Sequence, residues 1–467
     1  MKHPFVLVLI FLFIFPSLLV SEVYHIGVNE AVALAIKGNL SLKVQEVALK
    51  TKERNKKWAA TSFIPSINFT PAFSANLIKQ SDSVVLVPNL QGVTPISNEG
   101  KNIYANPTVN AISIPGENLP VWATSLGLQI SLPINAAMFI AIDTAKKDYE
   151  NGLISYATAE AQLERDVKKS YYNLILLKQS LSLLESNLEN AQRRFAQAQR
   201  QYNLGVVPKI QMLSAQATVE NLKPQLTTQR HYYDVAVMNF KIYLGLNFED
   251  EIVLTDETLY PRDVALDIDT LIKENIQDRL DISLLKGNIE YLKKSRSAAL
   301  VGALTPSLIF GLNYNAATAL YEKNSPLKPS STSWNESSSF SVAISVPVDK
   351  LIYGTSGYKQ GADLKDSIDS LDIQLKNALQ MAELDLRNTY NNLNKSKENI
   401  ASLTFNINLN QELFDESEKG YRAGRVDILD LEDAENRLHQ ARLNLIQEQV
   451  NYLSTVVDLE YALNKKI

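Results

Sequence analysis

The chain has 467 residues, 45% of them hydrophobic and 21% charged, with a formal net charge of -5 and no cysteine. The missing cysteine excludes disulfides, thiolate metal sites, a cysteine nucleophile and a lipid anchor on an N-terminal cysteine. The 46 Lys and Arg are scattered among 51 Asp and Glu and offer no basic face to nucleic acid, while Gly and Pro, 17 each, are too few for a collagenous or disordered chain.

Residues Met1 to Ser21 start with Lys2 and His3, run through the apolar stretch Phe5 to Phe15 and reach Pro16 and Ser17 before Glu22. This predicts a cleaved signal peptide (1–21) and an exported mature chain. An uncleaved anchor is the rival reading, since Leu19-Val20-Ser21 matches a small-x-small site poorly. The apolar run is short, however, for a span of about 20 residues.

Sliding the chain against itself by 219 residues aligns two long segments without a gap: Glu164/Glu383, Tyr171/Tyr390, Leu174/Leu393, Phe195/Phe414, Tyr202/Tyr421, Gly205/Gly424 and Leu244/Leu463 are identical pairs at that one offset. A shared register over this length predicts a duplicated structural unit. The first copy is placed at 22–245, a linker at 246–266 and the second copy at 267–467. Each copy opens with a helix (about Asn29 to Ser62, and Ile268 to Gly302).

Two strands are expected to follow in each copy. Ile67, Phe69, Pro71 and Phe73 alternate with Asn68, Thr70, Ala72 and Ser74 within 66–76, and Leu126, Leu128, Ile130, Leu132 and Ile134 alternate with Ser125, Gly127, Gln129, Ser131 and Pro133 within 123–134. Copy two repeats the pattern at 306–316 and 338–348. One apolar and one small or polar face per strand suits a half-buried sheet on helices, or, in an exported chain, a lipid-facing barrel. Four strands cannot close a barrel, because small closed barrels need about eight, so the barrel reading implies an oligomer. The segments joining the strands, about Leu77 to Val121 and Ala317 to Ser337, are rich in Pro, Ser, Asn and Gly and read as loops.

From Leu163 to Tyr202, apolar positions recur at alternating steps of four and three, and Ala382 to Tyr421 repeats that register. Such a sustained heptad seam predicts a coiled helical hairpin in each copy, at 136–245 and 359–464. The ascending helix, about Ala136 to Leu204, would be roughly 100 Å long. Gly205 and Gly424 close the seams and Pro208 and Asp427 start the descending helices, which is the chemistry of a helix end followed by a helix start.

An export signal, two copies of helix-strand-strand-long helix-turn-helix and glycine at both tips resemble the TolC-type outer membrane efflux protein family. The match covers essentially the whole mature chain. Its specific signatures are Tyr202-Asn203-Leu204-Gly205, Tyr421-Arg422-Ala423-Gly424-Arg425, and Ile428-Leu429-Asp430-Leu431-Glu432-Asp433-Ala434; Asp278-Arg279-Leu280-Asp281-Ile282 is similar to the repeat-start signature but lacks a proline after the arginine. The resemblance implies a mainly α fold with a membrane β-barrel. In a homotrimer, long antiparallel hairpins would form a periplasmic α-barrel and four strands per chain a twelve-stranded outer membrane barrel, with 246–266 an equatorial linker. It further implies a passive channel-tunnel of a tripartite efflux or type I secretion system, partnered by outer membrane lipid, a periplasmic adaptor (membrane fusion protein) and an inner membrane transporter.

At the tips, Asp430 and Asp433 lie three apart and share a helix face. The resemblance makes them an acidic ring at the periplasmic entrance, whereas favourable interaction with the helix dipole explains them equally well. Gln211 and Ser214 hold the corresponding places in copy one, so hairpin geometry does not demand acid there. Tyr421 and Arg425 are implied as contacts gating the tip, with the last heptad contact as the other reading of Tyr421. Gly205 and Gly424 are expected as C-cap glycines and adaptor-docking tips.

His3, His25, His231 and His439 are isolated, with no metal spacing, no P-loop and no GxSxG, so neither an enzyme nor a cofactor is expected. The competing class is a periplasmic coiled-coil adaptor or structural spacer, which would use the hairpins but has no need of the four alternating strands.

Overall fold

A computed structural model describes residues 23–75, 83–89, 95–98, 101–104, 108–114, 122–256, 267–320, 334–348 and 354–467. The expected signal peptide and residues 257–266 of the linker lie outside these. In chain order come β1 (Val23–Ile26), α1 (Val28–Gly38), α2 (Leu40–Trp58), a 3-10 turn (Ala59–Phe63), β2 (Ser66–Ala75), β3 (Ser83–Asn89), β4 (Pro95–Asn98), β5 (Lys101–Tyr104), β6 (Thr108–Ile114) and β7 (Trp122–Ile134). The helices α3 (Ala136–Asn203) and α4 (Lys209–Leu244), strand β8 (Glu251–Leu254) and α5 (Ile268–Asn275) precede α6 (Leu280–Leu304), β9 (Ser307–Leu320), β10 (Asn335–Ser345), α7 (Ser356–Arg422) and α8 (Ile428–Leu463). The contacts divide into two compact units, one of residues 23–56, 145–293 and 366–467, the other of 57–144 and 294–365.

The helical unit holds two cores that correspond at the repeat offset. Val167, Leu174, Phe240 and Leu244 are buried in one, and Leu386, Leu393, Leu459 and Leu463 in the other. Every copy-two seam position from Ala382 to Tyr421 is buried or half-buried, as the heptad spacing requires. The descending helices close with the same left-handed motif: Gly245 has φ 71° and Asn464 φ 51°, and the following N–H reaches back to Lys241 and Glu460 respectively. Gly245 is obligatory for a second reason, because a Cβ there would lie 2.3 Å from the carbonyl oxygen of Gly38.

The opening helices differ from expectation. Instead of one helix over 29–62, the chain breaks at Asn39, an extended residue whose Oδ1 caps the N–H of Leu42 (3.0 Å) while its Nδ2 donates to the Tyr243 carbonyl (3.0 Å). Copy two breaks at the matching place, Arg279, whose guanidinium is held by Asp281 (3.0 Å) and Asp385 (3.2 Å). At Asn39 the side chain thus takes over backbone groups, the Leu42 N–H and the Tyr243 carbonyl.

The segment expected as a linker, 246–266, contains β8. It pairs in parallel with β1, Val23 opposite Glu251 and Ile26 opposite Leu254. This small sheet is tied to the long hairpin by Tyr171, fully buried on α3, whose hydroxyl donates to Asp256 Oδ2 (2.8 Å), lies 3.1 Å from the carbonyl oxygen of Ile26 and accepts from the Asp256 N–H (3.3 Å). Burial, with the Asp256 carboxylate beside it, pushes the phenol well above its ordinary pKa and keeps it a donor.

In the second unit β2, β7, β9 and β10 form one antiparallel sheet in the order β10-β9-β7-β2. Ser66 pairs with Ser131 and Ala75 with Trp122; Ile134 pairs with Leu308, and Ser345 with Ser307. Pro71 sits on the edge strand β2, where the absent N–H is tolerated. Both edge strands carry exposed apolar residues, Ile67, Phe69 and Phe73 on β2 and Phe340, Val342 and Ile344 on β10. The segment read as a loop over 77–121 instead contains two nested antiparallel pairs, β3 with β6 and β4 with β5. The β-branched residues Val84, Val85, Val87, Val109 and Ile112 supply the strand preference that its Pro and Asn content masks. The loop 317–337 is likewise shorter than expected, since β9 runs on to Leu320 and β10 starts at Asn335.

Removing the Tyr171 hydroxyl tests the knot between β1 and α3. Tyr171→Phe leaves Asp256 without its buried partner and is expected to cost about 1–3 kcal/mol in urea unfolding and to speed proteolysis near β1. Unchanged values on both readouts would assign the anchoring of β1 to apolar packing alone.

Candidate functional site at the hairpin tips

Both long helices end in the same way. At the first tip the Gly205 N–H bonds the Tyr202 carbonyl (2.9 Å) and the Val206 N–H the Gln201 carbonyl (2.8 Å); at the second, Gly424 bonds Tyr421 (3.0 Å) and Arg425 bonds Gly420 (2.9 Å). Gly205 (φ 72°) and Gly424 (φ 68°) are left-handed, and no atom lies within 4 Å of where a Cβ would sit, so handedness rather than space selects glycine. The tips differ beyond that. Asp427 caps α8 by accepting the Leu429 N–H (3.0 Å), whereas Pro208 precedes α4 with no side-chain bond. A Cβ on Gly420 would stand 2.5 Å from Val426 Cγ2, whereas copy one carries Gln201 and Val207 at the matching places.

Asp430 and Asp433 are both exposed on the first turns of α8. Asp433 is paired with Arg437 (2.8 Å), and Asp430 makes no ion pair among the described residues. Arg425 is exposed. Tyr421 is half-buried against Phe195, Ala198, Ala215 and Ile428, where the heptad seam ends. No hydrogen bond joins Tyr421 to Arg425 among the described residues, so within one chain the two do not form a unit.

Behind the tip lies a polar network that the sequence reading did not single out. Arg194 on α3 pairs with Glu435 on α8, which also accepts from Asn190 Nδ2 (3.4 Å), and Thr218 on α4 donates to Glu432 (3.1 Å). These bonds join the first hairpin to α8. Burial pushes the Glu432 carboxyl above its ordinary range, opposed by the Thr218 hydroxyl and the Arg194 charge. Only a comparison of the copies marks the pair, since Leu413 and Gln216 stand at the corresponding positions.

Farther along α8, His439 faces a cavity bordered by Ser180 and Leu184 of α3 and by Pro224 and Gln229 of α4. Its Nδ1 is buried without a partner, and burial holds the ring below the usual histidine pKa; Glu435 opposes this shift and Arg442 adds to it. Among the described residues no group of three or more His, Asp or Glu is placed to hold a metal.

The sign of the His439 effect follows from linkage. The unfolded chain takes up the proton more readily than the folded one, so stability falls as pH drops through the ordinary histidine range. Half-buried Glu432 acts oppositely, because the folded state binds its proton more readily and its cost fades as pH approaches the carboxylate range. Thermal stability of His439→Gln should therefore fall less than wild type between about pH 7 and about pH 5. Identical losses in both would remove His439 from the acid response.

The sequence profile described as outer membrane efflux protein matches residues 31–246 and 295–465. Outer membrane protein TolC of Escherichia coli strain K12 is 22% identical over 344 residues, 73% of this chain and 69% of that protein. Among solved structures, the Campylobacter jejuni CmeC outer membrane channel superposes with a TM-score of 0.68 at 15% identity, covering 93% of this chain and 85% of that one. Vibrio cholerae outer membrane protein VceC does so at 0.67 and 14%, covering 94% and 96%. The fold is that of these outer membrane proteins, a helical barrel portion joined to barrel strands. The chain belongs to the outer membrane efflux protein family and is an outer membrane efflux channel protein with a large periplasmic helical part.

Proposed function

We propose that the protein works as a homotrimer, passively conducting substrates received from an inner membrane transporter through a periplasmic adaptor and out across the outer membrane. The observation that carries this reading is the four-stranded sheet whose two edge strands have no further partner strand among the described residues and carry exposed apolar side chains. In lipid every backbone group must pair within a closed sheet, and four strands per chain reach a closable number only when chains combine. Three chains give twelve strands. A soluble adaptor or spacer would leave those edges and apolar residues without purpose.

In a trimer, Asp430 and Asp433 of three chains bring six carboxylates toward one entrance. Like charges so gathered attract cations and repel one another, which favours both selectivity and a mouth held by partner contacts. Asp430 carries more of this field, since Arg437 partly neutralises Asp433. Tyr421 and Arg425 act at the same level, Tyr421 fixing the helix end and the exposed Arg425 reaching a neighbouring chain. The glycine tips present different chemistries to the adaptor: Leu204, Val206 and Ile210 are exposed around Gly205, while Arg422 and Arg425 flank Gly424. No chemical catalysis is assigned, and energy comes from the transporter.

Planar-bilayer recording tests channel and ring together. Wild type should form cation-preferring channels blocked by a trivalent cation, with block weakened strongly by Asp430→Asn and less by Asp433→Asn. Unaltered block in the double variant would move the constriction elsewhere, and folded protein that never inserts would return the soluble spacer.

A further inference from the structure

Charge is distributed over the barrel strands in a way that alternation alone does not demand. Along the unbroken register of β2, β7, β9 and β10, one face carries Phe69, Leu128, Phe310 and Val342 and the other Thr70, Gln129, Gly311 and Ser341. In a closed barrel the first face meets lipid and the second the water-filled lumen. The four strand sequences hold a single charge, Glu336. It lies on the lipid-side face, two positions from Ser338, which stands opposite Tyr314, and Tyr314 and Glu336 are hydrogen-bonded to each other. That is the end of the sheet next to residues 321–333, where the apolar series gives way to polar groups. Among the described residues, the lumen face of these strands thus carries no Asp, Glu, Lys or Arg.

Folding does not require this. A charge facing the lumen would be hydrated by the pore and incur no burial cost, and 21% of the chain is charged. The two copies have also filled the lumen face differently. Aligned on Pro65/Pro306 and Pro133/Pro347, Thr70 corresponds to Gly311, Ala72 to Asn313, Gly127 to Ser341 and Gln129 to Ala343. Hydroxyl, amide, methyl and hydrogen replace one another, and charge enters at none of these places. The wall also turns hydroxyl donors onto itself: Ser66 Oγ donates to the Ser131 carbonyl (3.0 Å) and Thr70 Oγ1 to that of Gly127 (3.4 Å). Bulk is kept down at the same points, since a Cβ on Gly127 would stand 2.8 Å from Thr70 Oγ1 and one on Gly311 2.8 Å from Ser341 Oγ.

We propose that the membrane barrel is a charge-indifferent exit: its lumen, lined by uncharged hydroxyl, amide and methyl groups, passes cations, anions and uncharged polar solutes alike and takes no part in selecting cargo by charge. The proposal rests on the channel reading and deepens it. Low-dielectric walls focus the field of any fixed charge into a pore, and an assembly of copies would repeat each such charge as a ring. Strands that carry none leave the lumen close to the potential of the bulk solution.

Because the chain has no cysteine, single introduced thiols report the local potential. In the reconstituted channel, Gln129→Cys and Ser125→Cys should each react with a cationic and an anionic methanethiosulfonate of equal size at a rate ratio within about twofold of that of free 2-mercaptoethanol. Phe340→Cys, on the lipid face, should react with neither. Asn313 is the cross-strand partner of Gln129, so adding Asn313→Asp to Gln129→Cys should shift the ratio at least about fivefold toward the cationic reagent. Ratios already skewed that far in the single-thiol variants would overturn the charge-indifferent exit and leave the channel intact. A ratio unmoved by Asn313→Asp, or Phe340→Cys reacting in place of Gln129→Cys, would overturn the assignment of the lumen face on which the proposal stands. Reaction at all three thiols in folded protein that never inserts would instead overturn the channel reading.

Discussion

Backbone hydrogen bonding in a solvent that offers none is the constraint on which the rest of the molecule depends. Among the described residues the sheet β10-β9-β7-β2 ends in two strands that have no further partner strand. In water such edges invite aggregation, and in lipid each unpaired group costs several kcal/mol. Closing the sheet through other copies satisfies both conditions at once. It also gives the exposed Phe69, Phe73, Phe340 and Ile344 an environment in which apolar surface is favourable.

The helical unit meets a related demand by different means. Its two cores are copies, with Val167 matching Leu386 and Phe240 matching Leu459, yet each copy is specialised where it meets something unique. Copy one carries the Tyr171–Asp256 knot that secures β1, and Arg194 and Glu435 tie the first hairpin to α8. On α7 and α4, Met381, Leu384, Met238 and Ile242 are exposed apolar side chains. Buried ion pairs depend on geometry and are sensitive to the loss of either partner, whereas apolar contacts tolerate adjustment.

Features with a long sequence period are legible in the amino-acid order alone. The heptad seam, the alternating strands and the glycine tips each repeat one physical requirement many times or in both copies, so noise at single positions does not hide them. Features that rest on a single long-range partner are not legible in that way. Nothing near Val23 or Glu251 announces their parallel pairing, and the breaks at Asn39 and Arg279 depend on Tyr243 and Asp385, 204 and 106 positions away. The strands within 83–114 are hidden because Pro and Asn dominate a short-range reading. At the tip, Asp430 is readable as a charge on a helix start, but Arg194 and Glu435 look like ordinary members of a solvated face until the two helices are brought together.

Amide hydrogen exchange in the detergent-extracted protein tests the closed sheet most directly. If neighbouring chains complete it, amides of Ser66–Ala75 and Asn335–Ser345 should exchange as slowly as those of the central strands Trp122–Ile134 and Ser307–Leu320. Slow exchange confined to the central strands, with fast exchange along both edges, would contradict a barrel shared between chains.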